Sequence, residues 1–265
     1  MKRHGGEPPI DLRDISAVRA RYPLLIAHRG GVITPDTPEN TLAAMRLAGS
    51  QGYDMVELDV IRPKDDEPVL FHDPAGSLMR QCGIDAHLAD LTAQELTTIH
   101  YRTSAEPIAT LAQGLELCQR LRLGVMLDVK TPDGSPLTAD FVRRIRALLE
   151  EYALAPAAVP ISPSPLLREA LAEQILFPVA EEDVRRTSQG NAPRLRGHFW
   201  FGLPEELPDA AVPALQGAGA LVLPAINIHR YPRHAHDVLA RADIDRLRRA
   251  GVDGFQIDSV YRAFF

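Results

Sequence analysis

The sequence predicts an α/β protein, a (β/α)8 barrel with a small insertion after its second strand. Three observations predict it. Short apolar runs alternate with longer stretches of helical period, the apolar runs number eight, and a chain of 265 residues, 45% of them hydrophobic, suits one large core. A single domain over residues 1 to 265 is therefore expected. The strand candidates are "LLIAH" (24 to 28), "DMVELDV" (54 to 60), "GVMLDV" (124 to 129), "AAVPIS" (157 to 162), "ILFPVA" (175 to 180), "GHFWFG" (197 to 202), "ALVLPAI" (220 to 226) and "GFQID" (254 to 258).

Helical period fills most of the gaps. "PENTLAAMRLAGSQG" reads as a helix with Thr37 as N-cap, Pro38 at the first helical position, an apolar Leu42/Met45/Gly49 face and Gly52 as its stop. Further helices are expected over 110 to 122, 138 to 152, 165 to 174 and 237 to 250. Residues 62 to 96 break the alternation, being too long for a tight loop and carrying little helical period before Thr92, and they read as the insertion. In a barrel, loops that follow strands lie on the C-terminal face, where active sites are built.

Composition excludes several classes. The net charge of -6 without a run of five like charges disfavours non-specific nucleic-acid binding. The first twenty residues lack an apolar core like that of a signal peptide, and no later window approaches about 18 unbroken apolar residues, so stable membrane insertion is not expected. Cys82 and Cys118 can build no disulfide framework and neither has a partner at zinc-ligand spacing, which fits inert thiols in a reducing cytoplasm.

The chemistry collects at strand ends. His28 and Arg29 close the first strand, Glu57 and Asp59 lie on the second, and Asp128 and Lys130 close the third. Residues two apart on a strand point to the same side, so Glu57 and Asp59 share a face, as do Asp128 and Lys130. Carboxylates so placed repel unless a positive group lies between them. Arg29 and Lys130 are one solution; a divalent Mg2+ or Ca2+ bound by Glu57, Asp59 and Asp128 is the other. His72 ends the short extended run in "PVLFHDP", just after the acidic strand, and an imidazole with a pKa near 6.5 suits proton transfer around neutrality. Two histidines flanking a cation match what phosphodiester cleavage needs, one to take a proton from the attacking hydroxyl and one to give a proton to the leaving alkoxide. Arg29 and Lys130 suit the charge on a phosphoryl group.

"HRG" followed in order by "PENT", "VELDV", "VLFHDP" and "LDVK" resembles the glycerophosphodiester phosphodiesterase family. The likeness continues in "DLTAQEL", "EPIATLAQGLEL", "ISPSPLLREAL" and "GVDGFQIDSV". The resemblance implies a metal-dependent TIM barrel that cleaves a small phosphodiester substrate to an alcohol and glycerol phosphate. By position it implies His28 and His72 as the acid/base pair, Arg29 and Lys130 on the substrate phosphate, and Glu57, Asp59 and Asp128 on a divalent cation.

Some features depart from the family pattern. Asp128 stands where Glu is usual, keeping the charge with one methylene less reach; "LVLPAINIHRY" has no Trp where a "WTVN"-like run is usual; and the usual Thr-Asp is Ile257-Asp258. The leaving alcohol is thus less defined than the phosphodiester chemistry. Two other functions stay open: a lysophospholipase D-like enzyme forming a cyclic or monoester phosphate, and a phosphate-ligand sensor without catalysis, against which both histidines speak. His229, His234 and His236 match no tetrahedral zinc pattern and read as a solvated loop on the active-site face, with a possible part in substrate recognition. Trp200 reads as core, with stacking on a substrate headgroup as the alternative, and Asn40 as a buttress for the His28-Arg29 turn. Glu39 reads as part of the helix start.

Overall fold

The structure is a computed structural model, which describes residues 9–72, 76–132, 134–162, 164–191 and 193–265. Asp73 and Pro74 of the "HDP" run and Pro163 of "SPSP" lie outside the described residues. In chain order the elements are α1 (Ile15–Ala20), β1 (Leu24–Ala27), α2 (Leu42–Ser50), β2 (Met55–Ile61), β3 (Val69–Leu70), α3 (Ser77–Cys82), α4 (Ala93–Leu96), β4 (Ala109–Thr110) and α5 (Leu111–Leu121). There follow β5 (Gly124–Lys130), α6 (Ala139–Glu151), β6 (Ala158–Pro160), α7 (Pro165–Leu171), β7 (Phe177–Pro178), α8 (Glu181–Ser188), β8 (His198–Gly202), α9 (Ala211–Ala218), β9 (Leu221–Ile226), α10 (His236–Ala250) and β10 (Gly254–Ile257).

Eight of these strands run parallel and curl into a barrel in the order β6-β5-β2-β1-β10-β9-β8-β7. They are the eight strands expected from the apolar runs. β6 and β7 come together across the remaining seam without a hydrogen-bonded ladder among the described residues. Both are shorter than their apolar runs, and each stops at a proline, Pro160 and Pro178, which has no N–H to give a ladder. The core is continuous, from Leu24, Met55 and Val125 inside the sheet to Phe141, Leu148 and Ile244 on the helices outside it.

The described residues between 62 and 108 fold against the second strand. β3 pairs antiparallel with the end of β2 (Val60↔Leu70, Ile61↔Val69), and β4 pairs antiparallel with β3. A separate small cluster built on Val69, Phe71, Leu78, Leu96 and Tyr101 packs beneath this segment. The capping boxes of Thr92 with Glu95 and of Thr110 with Gln113 start α4 and α5.

The second helix starts later than expected. Its N-cap is Thr41, whose side chain accepts from the Ala44 amide, and not Thr37. Thr37 instead closes a local turn with Thr34, and Asn40 adopts a left-handed φ of 59° that no helix can pass through. α8 and α9 went unpredicted. Among its described residues α8 buries only the polar Thr187, which sets no apolar period, and α9 carries Pro213 in its first turn. α7 ends at Leu171, three residues short of its expected stop. Trp200 is 5% exposed and belongs to the core, as its apolar strand suggested. Among the described residues no helix is long and apolar enough to cross a membrane.

Candidate active site

The chain leaves β1 through a single tight turn, His28–Gly30, with Arg29 at φ 51°, Gly30 at φ 82° and Gly31 at φ 140°. Two glycines are needed because backbone packs directly onto both, the PENT segment over Gly30 and the first turn of α2 over Gly31. A Cβ on Gly30 would stand 2.6 Å from the Asn40 Cα, and one on Gly31 would meet the Ala44 carbonyl. The close approach lets the Asn40 amide donate to the Arg29 carbonyl at 2.8 Å. The Asn40 side chain then brackets Asp59, donating to its carboxylate at 2.9 Å and accepting from its amide at 3.0 Å. Asn40 therefore ties the turn to β2, extending its expected buttress role. Gly30→Ala is expected to destabilise the fold by about 2–4 kcal/mol, a positive-φ penalty plus a displaced segment. Urea unfolding checks this, and an unchanged midpoint would contradict the crowding.

The parallel register of β2 and β5 sets Asp59 beside Asp128, and side-chain alternation puts Glu57 on the same face. The oxygens of Glu57, Asp59 and Asp128 all lie within 4.8 Å of one another. Glu57 and Asp59 are buried. Lys130 bridges two of the three, donating to Asp59 at 2.9 Å and to Asp128 at 2.6 Å. Burial and the neighbouring Asp59 and Asp128 push the Glu57 carboxyl well above the ordinary carboxylate range. Burial opposes the Lys130 charge, but the same two aspartates outweigh it and raise its affinity for the proton. One ammonium among three carboxylates leaves the cluster under-neutralised. The all-oxygen donor set and its compactness suit a hard divalent cation.

His28 stands over this cluster. Its Nδ1 lies 2.6 Å from Asp258 Oδ1 and 3.1 Å from Asn227 Nδ2, while its Nε2 faces Glu57 at 3.9 Å. Asp258 is fixed in turn by the Ile228 amide at 2.5 Å. Burial would raise the Asp258 carboxyl, but the bond to His28 and the Ile228 amide hold it below its usual range. The Arg29 amide donates to Glu57 at 2.6 Å, and the Arg29 guanidinium donates to Glu39 at 2.9 Å. Arg29 Nε, like the Nε of Arg62 and Arg262, is buried without a hydrogen-bond partner among the described residues.

His72 sits on the far side of Glu39, its Nδ1 3.6 Å from Glu39 Oε1, and the preceding Phe71 amide donates to the Asp59 carbonyl at 3.1 Å. Gln81 of α3 also donates to Glu39 Oε1, at 2.9 Å. Burial works against a charge on Glu39, yet His72 and Arg29 prevail and bring its carboxyl down to about 2.

Every residue expected at the site thus lies on the C-terminal rim, the imidazoles joined to it through carboxylates. The sequence reading missed three of those partners. Glu39 looked like helix-start chemistry, whereas Asn227 and Asp258 reach His28 from strands that close the barrel 199 and 230 residues later. Only an acidic or amide residue at an apolar strand's end could have pointed to them. A cavity of about 310 Å3 opens beside His28, Arg29, Glu39 and Asp258, walled by Ile33, Ile228, His229 and Val260. His229 is in this wall, where burial and the nearby His28 lower its proton affinity; His234 is exposed, and His236 lies against Tyr261. Among the described residues the three carboxylates are the one group spaced for a metal, so the three loop histidines form none.

Glycerophosphodiester phosphodiesterase 1 of Mus musculus is 37% identical over 113 residues, 40% of this chain and 33% of that protein. Lysophospholipase D GDPD1 of Rattus norvegicus is 41% identical over 71 residues, 27% of this chain and 21% of that protein. The chain thus spans about a third or less of these relatives' length. The structure of an Oleispira antarctica phosphodiesterase in complex with the product sn-glycerol-3-phosphate superposes with a TM-score of 0.69 at 23% identity, covering 91% of this chain and 95% of that one. Residues 28–154, which hold the turn, both histidines and all three clustered carboxylates, match the model of the glycerophosphoryl diester phosphodiesterase family over just under half of the chain.

Proposed function

We propose that the protein is a phosphodiesterase that cleaves a small glycerophosphodiester to an alcohol and glycerol phosphate. The observation that carries this reading is the Arg29 guanidinium on the cavity wall with two carboxylate-backed imidazoles and an acidic cluster at the same rim, a set that suits one phosphoryl group. A divalent cation, Mg2+ or Ca2+, held by Glu57, Asp59 and Asp128 would supply positive charge to the nonbridging phosphate oxygens. Arg29, whose side chain lines the cavity, binds the phosphate. Lys130, tied to Asp59 and Asp128, adds a fixed charge at the same rim. One of His28 and His72 takes the proton of the attacking hydroxyl, from water or from a substrate hydroxyl next to the phosphate, and the other protonates the departing alkoxide. Asp258 on Nδ1 of His28 turns Nε2 toward the cluster, where the reacting phosphate would lie.

A second reading has one observation in its favour. Ile33, Ile228 and Val260, 37%, 41% and 55% exposed, stand around the mouth of the cavity, and such an apolar rim suits a diester with an acyl chain, as in a lysophospholipase D. Incubation with glycerophosphocholine, glycerophosphoethanolamine and lysophosphatidylcholine, with Mg2+ or Ca2+ and then with chelator, separates the two. Chelator-sensitive release of choline or ethanolamine from the glycerophosphodiesters is expected. Release from lysophosphatidylcholine alone would favour the second reading, and no release from any of the three would overturn both.

A further inference from the structure

Glu39 has three partners and no assigned task. It lines the cavity, is 15% exposed at its side chain, and receives Arg29 at 2.9 Å, Gln81 at 2.9 Å and His72 at 3.6 Å. Its own backbone is also pinned, since the Tyr101 hydroxyl donates to the Glu39 carbonyl at 3.0 Å. Gln81 is anchored from behind by the Arg102 amide, which donates to its carbonyl at 2.8 Å. Both Gln81 and Tyr101 come from the segment between β2 and α5, so that segment clamps Glu39 rather than merely covering the barrel.

The arrangement around His72 repeats the one around His28. In each, a buried or half-buried carboxylate faces Nδ1, and a second protein donor fixes the carboxylate: the Ile228 amide for Asp258, the Gln81 amide group for Glu39. A carboxylate on Nδ1 selects the tautomer that carries its proton there and leaves Nε2 for the reaction. The separation of 3.6 Å at His72 is an ion-pair distance just beyond a hydrogen bond. Contacts of this sort are often long before substrate is bound and tighten in the complex. Burial does not neutralise Glu39, because His72 and Arg29 keep it ionised.

We infer that Glu39 is the positioning residue of His72, as Asp258 is of His28, and that Gln81 holds it in that role. The inference rests on the reading of His72 as one of the acid/base pair. The competing role for Glu39, as a partner of Arg29 alone, has a different signature. A residue acting through His72 loses its effect once His72 is gone, whereas one acting through Arg29 keeps it.

The test is a double-variant cycle on the full chain with Mg2+, using whichever of glycerophosphocholine and lysophosphatidylcholine the wild type cleaves. Glu39→Gln is expected to lower kcat about 30-fold, a typical cost for loss of an orienting carboxylate. Glu39→Asp should regain part of that loss. His72→Ala combined with Glu39→Gln should stay within about threefold of His72→Ala alone. Gln81→Leu, which leaves the carboxylate in place, should lower kcat by a smaller factor and likewise add nothing in the His72→Ala background, which keeps the test open if Glu39→Gln does not fold. Multiplied losses in the double variants, or full activity in Glu39→Gln, would overturn the inference while leaving the diesterase reading intact. An unaffected His72→Ala, or no cleavage by the wild type, would instead overturn the reading beneath it.

Discussion

His28→Ala is expected to lower kcat by roughly a hundred- to ten-thousand-fold, the range for loss of a general acid or base, with KM changed by no more than a few-fold. The side chain leaves a hole at the rim rather than in the core, and its partners Asp258 and Asn227 stay tied to the Ile228 amide and to Gln256. The fold should therefore survive, as thermal unfolding would show. His72→Ala should fall in the same range. The histidine pairing predicts more than two separate losses. If one imidazole acts as acid to the leaving alkoxide, its loss should shrink sharply with a substrate such as bis(4-nitrophenyl) phosphate, whose leaving group departs without a proton, while loss of the other should persist. Near-normal turnover by either variant on glycerophosphocholine would remove that histidine from the mechanism.

Glu57→Gln is expected to separate stability from function. Its carboxylate shares a space of under 5 Å with Asp59 and Asp128, and the Lys130 ammonium pairs with those two aspartates and not with Glu57. A neutral amide of the same shape relieves like-charge repulsion, and in chelator the variant should be more stable than the wild type by about 1–3 kcal/mol. With millimolar Mg2+ or Ca2+ the order should reverse. The wild-type melting temperature should rise as the ion binds the folded state, and the variant's should barely move. Diesterase activity should be lost with it. A wild type whose melting temperature ignores both ions would speak against a cation at these carboxylates, and a variant less stable in chelator would show that Glu57 is held by its bond from the Arg29 amide more than it is repelled.

How far the sequence could be read follows from where each signal resides. Strands such as β2 and β9 were legible because their side chains are buried on both faces, so each one is an apolar run that needs no partner to be seen. Glu57 and Asp59 were legible for the converse reason, as charges in "MVELDVI", where every residue is buried. Thr37-Pro38 misled because it carries the right helix-start chemistry in the wrong place. What overrides it is tertiary: Asn40 must turn left-handed to reach both Arg29 and Asp59. Glu39 was hidden by the same local pattern, and Asp258 and Asn227 by distance along the chain. A residue defined by its partner cannot be read before the partner is placed.

The seam between β6 and β7 bears on how the molecule withstands its own motion. The strands that carry the site, β5, β2, β1, β10 and β9, are consecutive in the ring, and each is laddered to a neighbour on both sides. The unladdered junction lies outside that arc. The barrel is in effect an arch with its joint opposite the load: opening is expected first at the unladdered seam, where no reacting group stands, leaving the distances among His28, Asp258 and the three carboxylates unchanged.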